Sequence, residues 1–158
     1  MSEDHADLLC IGKALGGGLP ISACLGKSEV MDAWAADGVG GEAIHTGTFY
    51  NPLGCAAALA TLEVLRDESL AERAFDVGAR FRAALQRFGE VRGAGLMVGL
   101  VPNNNSNVLL LVRRLLERGF ITLPAGMNAE VLQLVPPLNV PEPLLLAFIA
   151  ALEEAMAQ

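Results

Sequence analysis

Charge is scarce in this sequence: only 18% of residues are Asp, Glu, Lys or Arg, and the balance is acidic, with a net charge of −7. The few basic residues form no cluster of the kind that phosphate backbones require, so nucleic-acid binding is not expected. Long apolar runs are missing too. The nearest candidate, residues 144–152, falls well short of the roughly 18 residues that suggest a membrane span. The start carries Glu3, Asp4 and Asp7 instead of a basic region followed by an apolar core, so no secretory signal is expected. Histidine is limited to His5 and His45, too far apart to suggest a zinc site. The three cysteines, Cys10, Cys24 and Cys55, lack metal-type spacing and sit among apolar neighbours. They read as buried free thiols in a reducing cytoplasm.

What is abundant is apolar surface. Hydrophobic residues make up 53% of the 158 residues, a high share for a small domain, which exposes much of itself. Some faces are therefore expected to meet another subunit or further sequence of the same protein.

Along the chain, residues 8–11 read as a short buried strand ending in Gly12 and Lys13. Gly16, Gly17, Gly18 and Pro20 then predict an irregular turn, and residues 21–26 a second strand. Ser28 caps a predicted short helix over 29–34. Residues 35–50, with four glycines, read as a long loop of the functional kind. Asn51 and Pro52 form a helix start, with a capping side chain before a proline at the first helical position. The helix runs to about Asp67. Its first part is apolar or small on every side, which predicts burial all round.

Ser69 and Glu72 fit a capping box for the next helix. There Leu70, Ala74, Val77, Phe81, Leu85 and Phe88 make one stripe and Gly89 a stop. Arg73, Arg80, Arg82 and Arg87 lie off the stripe, on a face expected to be solvated. Beyond lie a strand over 95–101, a helix capped by Asn107 and ending at Gly119, strands over 120–123 and 131–135, and a closing helix over 142–157. The expected boundary falls near residues 67–70. No internal repeat or disordered tract is visible.

Four blocks carry a resemblance: DLLCIGKALGGGLPI (residues 7–21), HTGTFYNPLGCAAALA (45–60), VRGAGLMVG (91–99) and LVPPL (134–138). In this order they resemble the class III aminotransferases, a family that includes acetylornithine, ornithine and 4-aminobutyrate aminotransferases. The resemblance spans nearly the whole chain. It implies an α/β fold: part of the fold type I large domain that binds pyridoxal 5′-phosphate (PLP), over residues 1–68, followed by a small α+β carboxy-terminal domain over 69–158. Lys13 then stands where the family forms its Schiff base with the cofactor, and Thr48 where a hydroxyl bonds the cofactor phosphate across a homodimer interface.

Local chemistry agrees. An imine-forming lysine must be available as the neutral amine, which desolvation favours, and Ile11, Ala14 and Leu15 are apolar. By itself the local sequence fits a surface lysine with a packed stem as well. A nucleotide P-loop does not fit: Asp7 stands where the first glycine belongs, and Ala14 follows the lysine.

The resemblance implies transfer of an amino group from an amino acid or omega-amine donor to a 2-oxo acid. The cofactor ring accepts electron density, and the freed lysine carries the proton. No metal, nucleic acid or membrane partner is implied, and the location is cytoplasmic. Three departures from the family pattern stand out. A complete member is more than twice as long, and the part without a counterpart holds the phosphate loop, the ring-stacking aromatic and the aspartate that pairs with the pyridine nitrogen. Gln133 replaces an arginine that several members use for the substrate carboxylate, and it lacks both charge and fork. The stretch from Thr48 to Pro52 is one residue tighter than the commoner form. A non-catalytic fragment is the competing expectation.

Overall fold

The computed structural model describes residues 6–32, 51–103 and 107–157. The chain divides into two compact units, Met1–Glu68 and Ser69–Gln158.

In the first unit, β1 (Leu8–Ile11) and β2 (Ala23–Gly26) form an antiparallel hairpin, with Leu9 opposite Leu25 and Cys10 opposite Cys24. Between them lies a 3-10 turn, Lys13–Gly16, where the sequence predicts only irregular chain. Gly17 closes this turn at φ 56, a left-handed value that glycine adopts without penalty. α1 (Ser28–Asp32) follows, with Ser28 as its first residue and not its cap. α2 (Pro52–Asp67) starts as its sequence predicts: the Asn51 side chain accepts hydrogen bonds from the backbone N–H groups of Leu53 and Gly54, both at 3.2 Å. The 3-10 turn packs against α2, where Gly54 leaves room for the carbonyl of Pro20.

Two expectations fail in this unit. The hairpin is not buried: Leu8, Leu9 and Leu25 are about half exposed. Nor is α2 buried all round, since only Gly54 and Ala58 lose their surface while Leu53 is 65% and Leu59 62% exposed. Apolar sequence shows which surfaces would gain from cover. It does not supply the cover, and among the described residues little lies over these faces.

The second unit is a two-layer α+β structure. α3 (Leu70–Leu85), α4 (Val108–Glu117) and α5 (Glu142–Met156) cover one face of a four-stranded antiparallel sheet. The sheet is ordered β3-β4-β6-β5, from β3 (Gly89–Ala94), β4 (Met97–Pro102), β5 (Leu123–Ala125) and β6 (Val131–Leu134). Val98 opposite Leu134 and Leu100 opposite Leu132 turn one face inward, as period-two alternation requires. All six residues of the predicted α3 stripe are buried. Phe148 of α5 meets Phe81 and Phe120 edge-on, with ring centroids 6.0 and 5.4 Å away.

The Asn107 cap is present, its side chain accepting from Leu110 N–H at 3.2 Å. The Ser69 cap is not. Ser69 is left-handed at φ 46, ψ 46 instead of extended, and its hydroxyl makes no capping bond. β3 forms where the sequence predicts only a helix stop, and β5 begins at Leu123, the last residue of the predicted strand.

Candidate functional site

Lys13 follows the end of β1 by two residues and begins the 3-10 turn. Its φ is 49, one of three positive values at non-glycine residues among those described. A long side chain seldom takes this region, at a cost of about 1–3 kcal/mol where it does, and such strain clusters at functional sites. Here the turn is fixed from both sides. Gly16 is buried so tightly that a Cβ would stand 2.8 Å from Ile21 Cγ2, and a Cβ on Gly12 would touch Ser22 at 3.4 Å.

The chain has only two lysines. Lys27 pairs with Asp7 at 2.8 Å, whereas Lys13 has no hydrogen-bond or ion-pair partner among the described residues. Lys13 is exposed, so the expectation of a lysine held out of water is not met in this chain. The reason is the open hairpin: its strands carry apolar residues on both faces, and those residues are themselves exposed. An open cleft of 410 Å³ is lined by Pro20, Ile21, Asn51 and Ser22, the last of which neighbours Gly12. Thr48, His45 and the other residues of the predicted loop over 35–50 lie outside the described residues.

The three cysteines are exposed, contrary to the burial their neighbours suggest. Cys10 and Cys24 sit in the open hairpin and Cys55 on the open part of α2. The Cys24 thiol is raised above its ordinary range, chiefly by its hydrogen bond with Cys10, then by burial and by charge.

In the second unit the arginines off the α3 stripe do more than face water. Arg73 donates to the carbonyls of Leu138 and Val140, and Arg82 to that of Gly95. These bonds fasten the helix to the β3–β4 turn inside one family-like block and to the end of the LVPPL segment and the residues just after it. Arg80 and Arg87 reach Glu142 and Glu153 of α5 at 2.9 Å. Spacing marked the four arginines as off the stripe, and only the fold could supply their partners. Gln133 pairs with Gly99 and Leu123, on the sheet face away from the core.

The hairpin with its glycine-bound turn, α2 and the following α+β unit are the elements found in part of the PLP-dependent aminotransferases. The acetylornithine aminotransferase of Elizabethkingia anophelis superposes with a TM-score of 0.77 at 30% identity, over 98% of this chain and 40% of that one. The ornithine aminotransferase of Toxoplasma gondii, solved with partial occupancy of PLP at its active site, gives 0.77 at 31% identity, over 97% of this chain and 37% of that one.

The family model for class III aminotransferases matches residues 1–156, and the chain belongs to that family. The 5-aminovalerate aminotransferase DavT of Pseudomonas aeruginosa is 37% identical over 163 residues, 94% of this chain and 37% of the relative. The chain therefore spans well under half the length of such relatives. The family's cofactor is PLP, and its members are enzymes.

Proposed function

We propose that this chain carries the lysine-bearing part of a PLP-dependent aminotransferase. Lys13 is the amine that would hold the cofactor through its aldehyde, and Thr48 would supply a hydroxyl to its phosphate. The observation that supports this reading is Lys13 itself: of the chain's two lysines it is the one without a partner among the described residues, held in a strained backbone state just after a strand.

The residues present fit the cofactor in kind. A reachable primary amine suits an aldehyde, and the open cleft joins apolar walls from Pro20 and Ile21 to polar groups on Ser22 and Asn51. When bound, PLP supplies an electron sink for bonds broken at the substrate's amine-bearing carbon. The chain's own part would be to hold and move a proton: Lys13 Nζ, as a free amine, would take it from that carbon and return it on the product side. The glycine-bound turn fixes where that amine starts, which orients the transfer.

The donor is an amino acid or omega-amine and the acceptor a 2-oxo acid. DavT is named for 5-aminovalerate, an omega-amine, which favours that donor class. Gln133, neutral where an arginine is common, fits weaker capture of a donor carboxylate. The working form is a homodimer.

Borohydride reduction in the presence of PLP, followed by trypsin and mass spectrometry, tests the reading. A pyridoxyl group on Lys13 blocks cleavage there and yields a labelled peptide spanning residues 1–27, with Lys27 unmodified. Equal labelling of Lys13 and Lys27 would overturn the assignment.

A second reading, a non-catalytic fragment, is favoured by the open faces of β1, β2 and α2 and by the 37% span of the relative. It is separated by a half-transamination assay on the 158-residue chain. Label at Lys13 without conversion of an amino donor supports the fragment, and turnover refutes it.

A further inference from the structure

The open hairpin sets two thiols side by side. Cys10 is the direct cross-strand partner of Cys24, and their sulphurs lie 3.8 Å apart. The phase of the ladder decides whether they can join. Lys27 N–H donates to the Asp7 carbonyl, which makes that pair a hydrogen-bonded position. Positions alternate inward from there, so Leu8–Gly26 is non-hydrogen-bonded, Leu9–Leu25 hydrogen-bonded and Cys10–Cys24 non-hydrogen-bonded. At such positions the Cα atoms stand about 4.5 Å apart, within the roughly 4.4–6.8 Å that a disulfide spans. Side-chain rotation can then bring the sulphurs to bonding distance, about 2.05 Å, without moving the strands. Both thiols are exposed. Cys55, on α2, is exposed too.

We propose that Cys10 and Cys24 form a dithiol site for low-molecular-weight disulfides such as oxidised glutathione, closing to an intramolecular disulfide across the β1–β2 hairpin. One protein thiolate attacks a sulphur of the reagent, the reagent's S–S bond breaks, and one glutathione leaves as thiol. The second protein thiolate attacks the mixed disulfide at the protein's sulphur, and the second glutathione leaves. Two protein thiols are oxidised by two electrons, and one small disulfide is reduced to two thiols, which take up the protons released. The bridge ties together both ends of the turn that carries Lys13. The inference holds whether or not Lys13 takes a cofactor.

The chain provides a direct test, because trypsin cleaves at Lys13, between the two cysteines. After exposure of the 158-residue chain to oxidised glutathione, alkylation and digestion without reductant, residues 1–13 and 14–27 should appear joined and lighter by two hydrogens. Cys55, in residues 28–66, should be alkylated. The equilibrium constant for closure against glutathione should fall by at least about tenfold in guanidinium, where the loop must close without the ladder. Cys55→Ser should close as the parent does, while Cys10→Ser should stop at glutathione on Cys24. Glutathione retained on both Cys10 and Cys24, a bridge through Cys55, or a constant unchanged by denaturant would each overturn the proposal.

Discussion

Side chains in this protein take their roles from the atoms opposite them. Glu90 and Arg92 sit two apart on β3, on the same face, and their side chains form a two-bonded pair at 2.7 and 3.0 Å. That hydrogen bonding, and secondarily the guanidinium charge, holds the Glu90 carboxyl below the usual glutamate range. Because the folded value is depressed, the associated stability is fully present above the unfolded value and is lost as pH falls through the folded one. The pair is fully exposed, so the effect on stability is small. The Glu90 titration read by carboxyl NMR is the better probe. Its midpoint should lie below the usual glutamate range and should rise toward that range in Arg92→Ala. An unchanged midpoint in that variant would remove the stated cause.

At the scale of elements, α3 meets the β3–β4 turn in a close backbone contact. Gly78 of α3 faces Gly95, and a Cβ there would stand 2.0 Å from the Gly95 carbonyl oxygen. Gly95 holds a left-handed φ of 53, and Arg82, one helical turn on, donates to that same oxygen. Gly78→Ala sets two effects against each other. Alanine gains about 1 kcal/mol of helix propensity, but overpacking costs about 1–3 kcal/mol. The obstacle is backbone and cannot swing aside, so the upper part of that range applies. The variant should be less stable by about 1–2 kcal/mol, read as an earlier urea midpoint. A midpoint at or above that of the parent would show that the helix and turn can separate freely. The same junction explains why β3 was hard to foresee: its sequence, GEVRGA, is two-thirds glycine and charge, and it becomes a strand because β4 pairs with it along its whole length.

For the molecule as a whole, burial is uneven. The described core of contiguous buried residues belongs to the second unit, where Leu85, Leu100, Leu115, Leu132 and Leu152 have no exposed surface. Residues 69–158 expressed alone should therefore unfold in one cooperative transition, and Leu152→Ala within them should cost about 2–5 kcal/mol. A non-cooperative melt of that piece would show that its core needs residues 1–68. The first unit, by contrast, leaves its hairpin and much of α2 open, and it bears the lysine on which the proposed chemistry turns.

Features that depend on local chemistry and spacing were legible from the residues alone. The sequence marked the α3 stripe, because a period of 3.6 picks out one face whatever lies opposite. It marked the Asn51 and Asn107 caps, because a short polar side chain before a helix answers free N–H groups within three residues. The ordered blocks around Lys13 gave the family. The rest came from long-range packing. It paired Arg73 and Arg82 with carbonyls distant in sequence or held in a turn, left Ser69 in a backbone state that forbids its cap, and set Cys10 against Cys24 in the open. Each of these depends on which atoms arrive from elsewhere in the chain. A residue's neighbours in sequence fix its conformational preferences, whereas its burial and partners are fixed by surfaces that meet only on folding.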